Sequence, residues 1–194
     1  MGDEIKEIKL MTIKNKEIYR GKTIKQVKGI TKIFDIFFEK EKFKNIIEIG
    51  TGTGIFSIYF ATKAKEMGAL FTTIDIKNLN GKTKQNLLNL NTNIIKCDIN
   101  KSTYIEQVLK EKDRCLILND GGGKVPEFNR FCKKIKPDDV LMTHDFYVEG
   151  RTSASGIIVM NDVKALVEKN GLNIIYRNLF DDFLWMCVTK MGEK

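Results

Sequence analysis

Residues 45–57 read Asn45-Ile46-Ile47-Glu48-Ile49-Gly50-Thr51-Gly52-Thr53-Gly54-Ile55-Phe56-Ser57. A short apolar run with strand character stops at three glycines spaced two apart, and a helical pattern follows. Glycines at a strand-to-helix turn permit a sharp reversal and let the backbone approach a ligand. The helix that starts there offers unpaired N–H groups and the positive end of its dipole. A tight turn that holds no ligand is the plainer reading, but it does not call for Glu48 and three alternating glycines together.

Downstream of this loop, helical and strand patterns alternate. Residues 55–66, 81–90, 103–112, 125–135 and 157–169 read as helices, and 70–76, 93–99, 114–120 and 139–145 as strands. Alternation of this kind implies a parallel sheet with helices on both faces. The last two apolar runs, 172–179 and 183–190, are joined by a tight Phe180-Asp181-Asp182 connection and so pair antiparallel. The expected fold is α/β: a Rossmann-like doubly wound sheet, mostly parallel, ending in an antiparallel hairpin strand. Upstream, Ile24, Val27, Ile30, Phe34 and Phe37 follow helical spacing from Thr23 to about Lys40, and residues 5–13 alternate weakly, as a strand or an extended arm.

At 194 residues, with 42% hydrophobic and 30% charged residues, the chain is an ordinary globular domain. Disorder and collagen are excluded, and no apolar run approaches the ~20 residues of a membrane-spanning helix. The net charge of +8 admits nucleic acid as a partner. Only five of the 33 basic residues are Arg, the better reader of phosphates and base edges, so the charge reads as solvated lysine and nucleic acid is not favoured. Cys97, Cys115, Cys132 and Cys187 have no CxxC spacing. Cys97, Cys115 and Cys187 lie in apolar runs as expected buried thiols, which fits a reducing cytoplasm. The N-terminus lacks the apolar core of a signal peptide, and Lys6 argues against myristoylation at Gly2.

The glycine spacing separates two cofactor classes. A dinucleotide fingerprint needs glycines at relative positions 1, 3 and 6, and Ile55 or Ser57 occupies the third position in either register. The pattern present, ExGxGxG over Glu48, Gly50, Gly52 and Gly54, resembles motif I of the class I S-adenosylmethionine-dependent methyltransferases. A carboxylate beside the loop repels a pyrophosphate and favours a sulfonium and an ammonium. The resemblance covers roughly residues 44–190 and implies that Glu48, Gly50, Thr51, Gly52 and Gly54 hold the methionine part. Asp75, ending the second strand, lies 21 residues beyond Gly54, close to the ~20 expected of an acidic ribose ligand. Asp98, ending the third, corresponds to the acid that faces the adenine amine in that family. Either acid is also a good cap for the helix that follows it. The resemblance divides the chain into an N-terminal lead and helix (1–40) and a single methyltransferase domain (41–194).

Ligands of open α/β sheets bind beyond the carboxyl ends of the strands. The fourth strand ends at Asp120 and the fifth at His144-Asp145, so these three side chains are expected to converge. They could hold a divalent metal, with His144 as ligand; His144 could be a general base; or all three could be caps and turn formers. Two carboxylates and an imidazole suit Mg, Mn or Fe better than structural zinc. Residues 118–147 resemble small-molecule O-methyltransferases of the catechol type and the cephalosporin-hydroxylase-like group. By that resemblance Asp120 and Asp145 match metal-ligand positions, and Asp120 also borders the methyl donor. The stretch departs from the pattern by lacking a further acid nearby and by placing His144 where an acid stands. Gly121–Gly123 either admit a ligand to the backbone or form a plain loop, Lys124 either neutralises an anionic substrate or, as the favoured reading, is solvated, and the polar segment 148–156, with Arg151, is placed beside the substrate.

The function expected is S-adenosylmethionine-dependent O-methylation of a small or exposed acceptor, assisted by Mg or Mn if a metal is held. A catalytically inactive nucleotide-binding protein and an NAD(P)-dependent oxidoreductase are the alternatives. No membrane is expected as a partner, and the oligomeric state is not legible.

Overall fold

The computed structural model describes residues 16–147 and 156–190. The arm expected at 5–13, and residues 148–155 of the polar segment with Arg151, lie outside the described residues. The chain opens with β1 (Lys16–Tyr19), β2 (Lys22–Val27) and α1 (Ile30–Lys40). It then alternates through β3 (Asn45–Ile49), α2 (Ile55–Met67), β4 (Leu70–Asp75), α3 (Gly81–Leu88), β5 (Asn93–Lys96), α4 (Tyr104–Lys110), β6 (Cys115–Asn119), α5 (Lys124–Phe131) and β7 (Val140–His144). The two-residue strands β8 (Phe146–Tyr147) and β9 (Ile158–Val159) pair in parallel. Last come α6 (Met160–Lys169), β10 (Leu172–Ile175), α7 (Arg177–Phe180) and β11 (Trp185–Lys190).

The main sheet has seven strands in the order β10-β11-β7-β6-β3-β4-β5. The strands β3 to β7 run parallel, and β11 inserts antiparallel between β7 and β10. This is the mostly parallel, Rossmann-like sheet that the alternating patterns predict. Its central strands are apolar along most of their length because each face meets a different core. Ile46, Leu116, Leu118 and Met142 point into one, with Phe34, Phe37, Phe60 and Trp185. Ile47, Ile49, Ile117 and Leu141 point into the other, with Phe128, Phe131 and Val163. Side chains alternate with period two along a strand, so only continuous apolar runs can feed both cores.

Two expectations at the edges of the chain need correction. Residues 23–27 are strand, not the start of the helix. The i, i+3 spacing of Ile24, Val27 and Ile30 imitates a helix, but Ile24 and Gln26 are the inward residues of an alternating strand. The hairpin turns at Arg20-Gly21, both left-handed (φ 49° and 73°), and Gly29 (φ 94°) separates β2 from α1. Glu17 of β1 then caps that helix, accepting from the Gly29 N–H (2.6 Å) and the Thr31 hydroxyl (2.5 Å). The hairpin also rests on α2, where the Tyr19 and Tyr59 rings meet edge to face at 5.5 Å. The second correction concerns the link between the last two strands. They are antiparallel as expected, but α7 and a 3-10 turn (Asp181–Phe183) join them instead of a tight turn. Left-handed Tyr176 starts this link, and it sends Phe180 into the aromatic core against Phe34 and Phe37.

Smaller differences concern element ends. The third parallel strand stops at Lys96, short of Asp98, and α6 begins at Met160 because Ile158 and Val159 pair with β8. Cys115, Cys132 and Cys187 are buried, whereas Cys97, expected to be so, is half-buried. Among the described residues no helix is long and apolar enough to cross a membrane.

Candidate functional site

A single crevice of about 640 Å³ opens over the carboxyl ends of β3 to β7. Glu48, Gly50, Thr51, Gly52, Asp75, Asp98, Asp120, His144 and Asp145 all line it. Of the residues expected at the site, Gly54 is not among its walls. It lies beneath the loop, where a Cβ would meet Thr83 at 2.7 Å.

The glycine turn is held by the neighbouring strands. The Gly50 N–H donates to the Ile74 carbonyl (2.8 Å), and the Asp120 N–H donates to the Ile49 carbonyl (3.0 Å). At Gly52 an added Cβ would meet nothing within 4 Å, so the loop presents bare backbone to open space. That is a cradle for an elongated ligand. Asp75 closes it from the side: its carboxylate accepts from the Gly52 N–H (3.0 Å) and from the Lys77 N–H (2.8 Å). Asp98 caps the 3-10 turn Ile99–Lys101 by accepting from the Asn100 N–H (3.0 Å), as the capping alternative has it, while still lining the crevice.

Glu48 sits under the loop, only 3% exposed. One of its oxygens accepts from the Ser57 hydroxyl and from the Thr73 hydroxyl (2.5 Å). Burial pushes its carboxyl up to about 7, against the pull of those two hydroxyls. The folded protein therefore binds this proton more tightly than the unfolded chain between pH 4.5 and about 7, and stability falls as pH rises through that window. Glu48→Gln keeps an acceptor for both hydroxyls and removes the ionisation. Its stability relative to wild type is expected to rise by about 1–3 kcal/mol between pH 5 and pH 8, read from denaturant midpoints. A pH-independent difference would show that Glu48 is not neutral at low pH in the fold.

At the other end of the crevice, the ends of β6 and β7 bring Asp120, His144 and Asp145 together. His144 Nδ1 lies 2.9 Å from Asp120 Oδ1 and 3.4 Å from Asp145 Oδ1. The imidazole ring packs on Trp185, with centroids 4.9 Å apart. Asp145 is left-handed (φ 57°), a strained conformation that turns the chain immediately after the strand. Burial alone would lower His144, but the Asp120 carboxylate and then Asp145 hold it up, at about 9. Burial would likewise raise Asp145, yet His144 and Lys124 bring it down to about 2.

Two members of this cluster were not expected. Lys124 is not solvated: it is 5% exposed, and its ammonium lies 3.3 Å from Asp120 Oδ1 and 3.1 Å from Asp145 Oδ2. It also donates to the Gly121 carbonyl (2.9 Å). The four-residue step from Asp120 was the available signal, since α5 starts at Lys124 and folds it back over the strand end. Gln26 reaches in from β2, donating to Asp120 Oδ2 (2.9 Å) and accepting from the Trp185 indole N–H (3.3 Å).

One oxygen of each carboxylate and one ring nitrogen of His144 lie within 4.8 Å of one another. The two carboxylates are hard ligands of the kind Mg or Mn takes, and the imidazole is a borderline one. Asp145 can serve an ion through Oδ1 while Oδ2 keeps Lys124.

No family model and no curated protein matches the sequence. Solved structures match the fold. The apo structure of CmcI superposes with a TM-score of 0.66 at 12% identity, over 91% of this chain and 77% of that one. The Mg-SAM structure of CmcI gives 0.63 at 12% identity over the same shares. The S-adenosylhomocysteine-bound methyltransferase PaMTH1 of Podospora anserina gives 0.55 at 11% identity, over 82% of this chain and 76% of that one. The chain shares the fold of these proteins.

Proposed function

We propose that this chain is an S-adenosylmethionine-dependent O-methyltransferase acting on a small acceptor. The observation that carries the reading is one crevice with a bare glycine cradle flanked by Asp75 at one end and the Asp120, His144 and Asp145 cluster at the other. The CmcI and PaMTH1 structures, solved with SAM or S-adenosylhomocysteine on the same fold, support it.

Bound in the crevice, S-adenosylmethionine would supply an electrophilic methyl group: the acceptor oxygen would bond to it as the carbon–sulfur bond breaks, S-adenosylhomocysteine would leave, and the acceptor's proton would pass to water. The chain's own work is placement. Gly50, Thr51 and Gly52 hold the methionine part against the loop, above the Glu48 carboxyl. Asp75 takes the ribose hydroxyls and Asp98 the adenine amine. Alignment of two reactants is worth several powers of ten in rate. The hairpin contributes Ile24, Lys25 and Gln26 to the crevice wall and limits the room left for the acceptor.

His144 is a cation below about pH 9 and lends charge to an acceptor oxygen that is losing its proton. Its own proton has to leave before the ring can act as a base or a ligand. Asp120, His144 and Asp145 would hold a divalent ion, whose chemistry there would be to make the acceptor hydroxyl more acidic.

The test is transfer of labelled methyl from S-adenosylmethionine to a panel of hydroxylated small molecules, with Mg, with Mn and with chelator. Transfer to at least one acceptor is expected, reduced about 10²–10³-fold in His144→Ala. Tight cofactor binding with no transfer to any acceptor, and no effect of His144→Ala, would favour an inactive binding protein.

A further inference from the structure

Glu127, on the first turns of α5, has no task in the site described so far. It lines the same crevice and is 4% exposed. Its Oε2 is buried without a hydrogen-bond partner among the described residues. A buried acceptor left unpaired costs stability unless a ligand completes it.

The carboxyl is pressed against the glycine loop after β6. A Cβ at Gly121 would lie 2.8 Å from Oε2 and 3.0 Å from Oε1, and one at Gly123 would lie 3.3 Å from Oε1. Neither glycine is left-handed, so at Gly121 the requirement is for space beside this carboxyl. One turn further on, Arg130 donates to the Ile99 carbonyl and the Ser102 carbonyl, both at 2.5 Å. That pins α5 to the segment whose residues Cys97 to Asn100 form the neighbouring wall. Burial raises the Glu127 carboxyl above the usual range, against the Gly123 N–H and Lys124, and Asp120 and Asp98 add to the rise. Glu127 thus shares the crevice lining with Asp98 and feels the charges of both Asp120 and Asp98.

We infer that Glu127 reads the nucleobase of the bound nucleoside, its carboxyl accepting one hydrogen of the exocyclic amine while Asp98 accepts the other. This deepens the methyltransferase reading and rests on it. An adenine amine carries two hydrogens, and two carboxyl groups on adjoining walls can use both. A 6-oxopurine presents a carbonyl at the same place and meets two acceptors.

The experiment is a calorimetric titration of the full chain with S-adenosylhomocysteine, S-inosylhomocysteine and the N6-methyl derivative of S-adenosylhomocysteine, in wild type and Glu127→Met. Wild type is expected to prefer the adenine ligand. Glu127→Met is expected to shrink that preference over the inosine ligand about tenfold. A purely structural Glu127 would weaken both ligands equally and leave their ratio unchanged, which overturns the inference. The N6-methyl ligand needs no variant: about tenfold weaker binding to wild type is expected, and binding equal to the parent overturns the inference even where Glu127→Met fails to fold. Absence of S-adenosylhomocysteine binding in wild type is a different result, and it removes the methyltransferase reading itself.

Discussion

Asp120→Ala is expected to abolish detectable methyl transfer and to cost about 3–5 kcal/mol of stability. Asp120 is the hub of the cluster: Oδ1 faces His144 at 2.9 Å and Lys124 at 3.3 Å, and Oδ2 accepts from Gln26 at 2.9 Å. Its removal leaves two buried cations to share Asp145 and strips the Gln26 amide N–H of its acceptor. The cost of an uncompensated buried charge exceeds the net worth of the pair that held it. Asp120→Asn separates the two effects, because the amide keeps the shape and one acceptor. Its stability loss is expected to be smaller, with transfer still down about 10²–10⁴-fold. Denaturant titration and labelled-methyl transfer on both variants check this. Full transfer in Asp120→Asn would remove Asp120 from the chemistry.

Gly50→Ala is the second large effect. Gly50 is left-handed (φ 94°), and an added Cβ would overlap the Asp120 carbonyl oxygen while lying 2.7 Å from its carbon and 2.9 Å from the Gly121 nitrogen. These are backbone atoms at the end of β6, tied to β3 through the Asp120 N–H, and they have no flexible way to yield. The two central strands have to separate where the crevice is widest. Strained backbone and overpacking together are expected to cost about 3–5 kcal/mol, with loss of S-adenosylhomocysteine binding. Gly52→Ala is the contrast. It too is left-handed (φ 54°) but meets nothing, so its stability loss is expected near 1 kcal/mol. Equal losses in the two variants, measured by denaturant midpoint, would show that the close approach at Gly50 does not matter.

The sheet was legible because its physics is local. Strands such as Cys115–Asn119 and Val140–His144 are buried on both faces, so they read as unbroken apolar runs between amphipathic helices. The acids at their ends could be placed in one region for the same reason. What was not legible depends on contacts distant in sequence. Ile24, Val27 and Ile30 fit a helix as well as a strand, and the pairing of β2 with β1 decides between them. That misreading hid Gln26, whose partners Asp120 and Trp185 are 94 and 159 residues away. A lysine near a glycine loop is ordinarily solvated; only the position of β7 shows that Lys124 is closed in by a second carboxylate, Asp145. Phe180 looked like part of a turn, and the aromatic core around Phe34 claims it.

The central claim is that the crevice accepts a cationic thioether nucleoside and its product, and rejects a diphosphate. It is tested most directly by calorimetric titration of the wild-type protein with S-adenosylhomocysteine, with and without NADH present. Saturable one-to-one binding that NADH does not displace is expected. Absence of binding, or displacement by NADH, would contradict it.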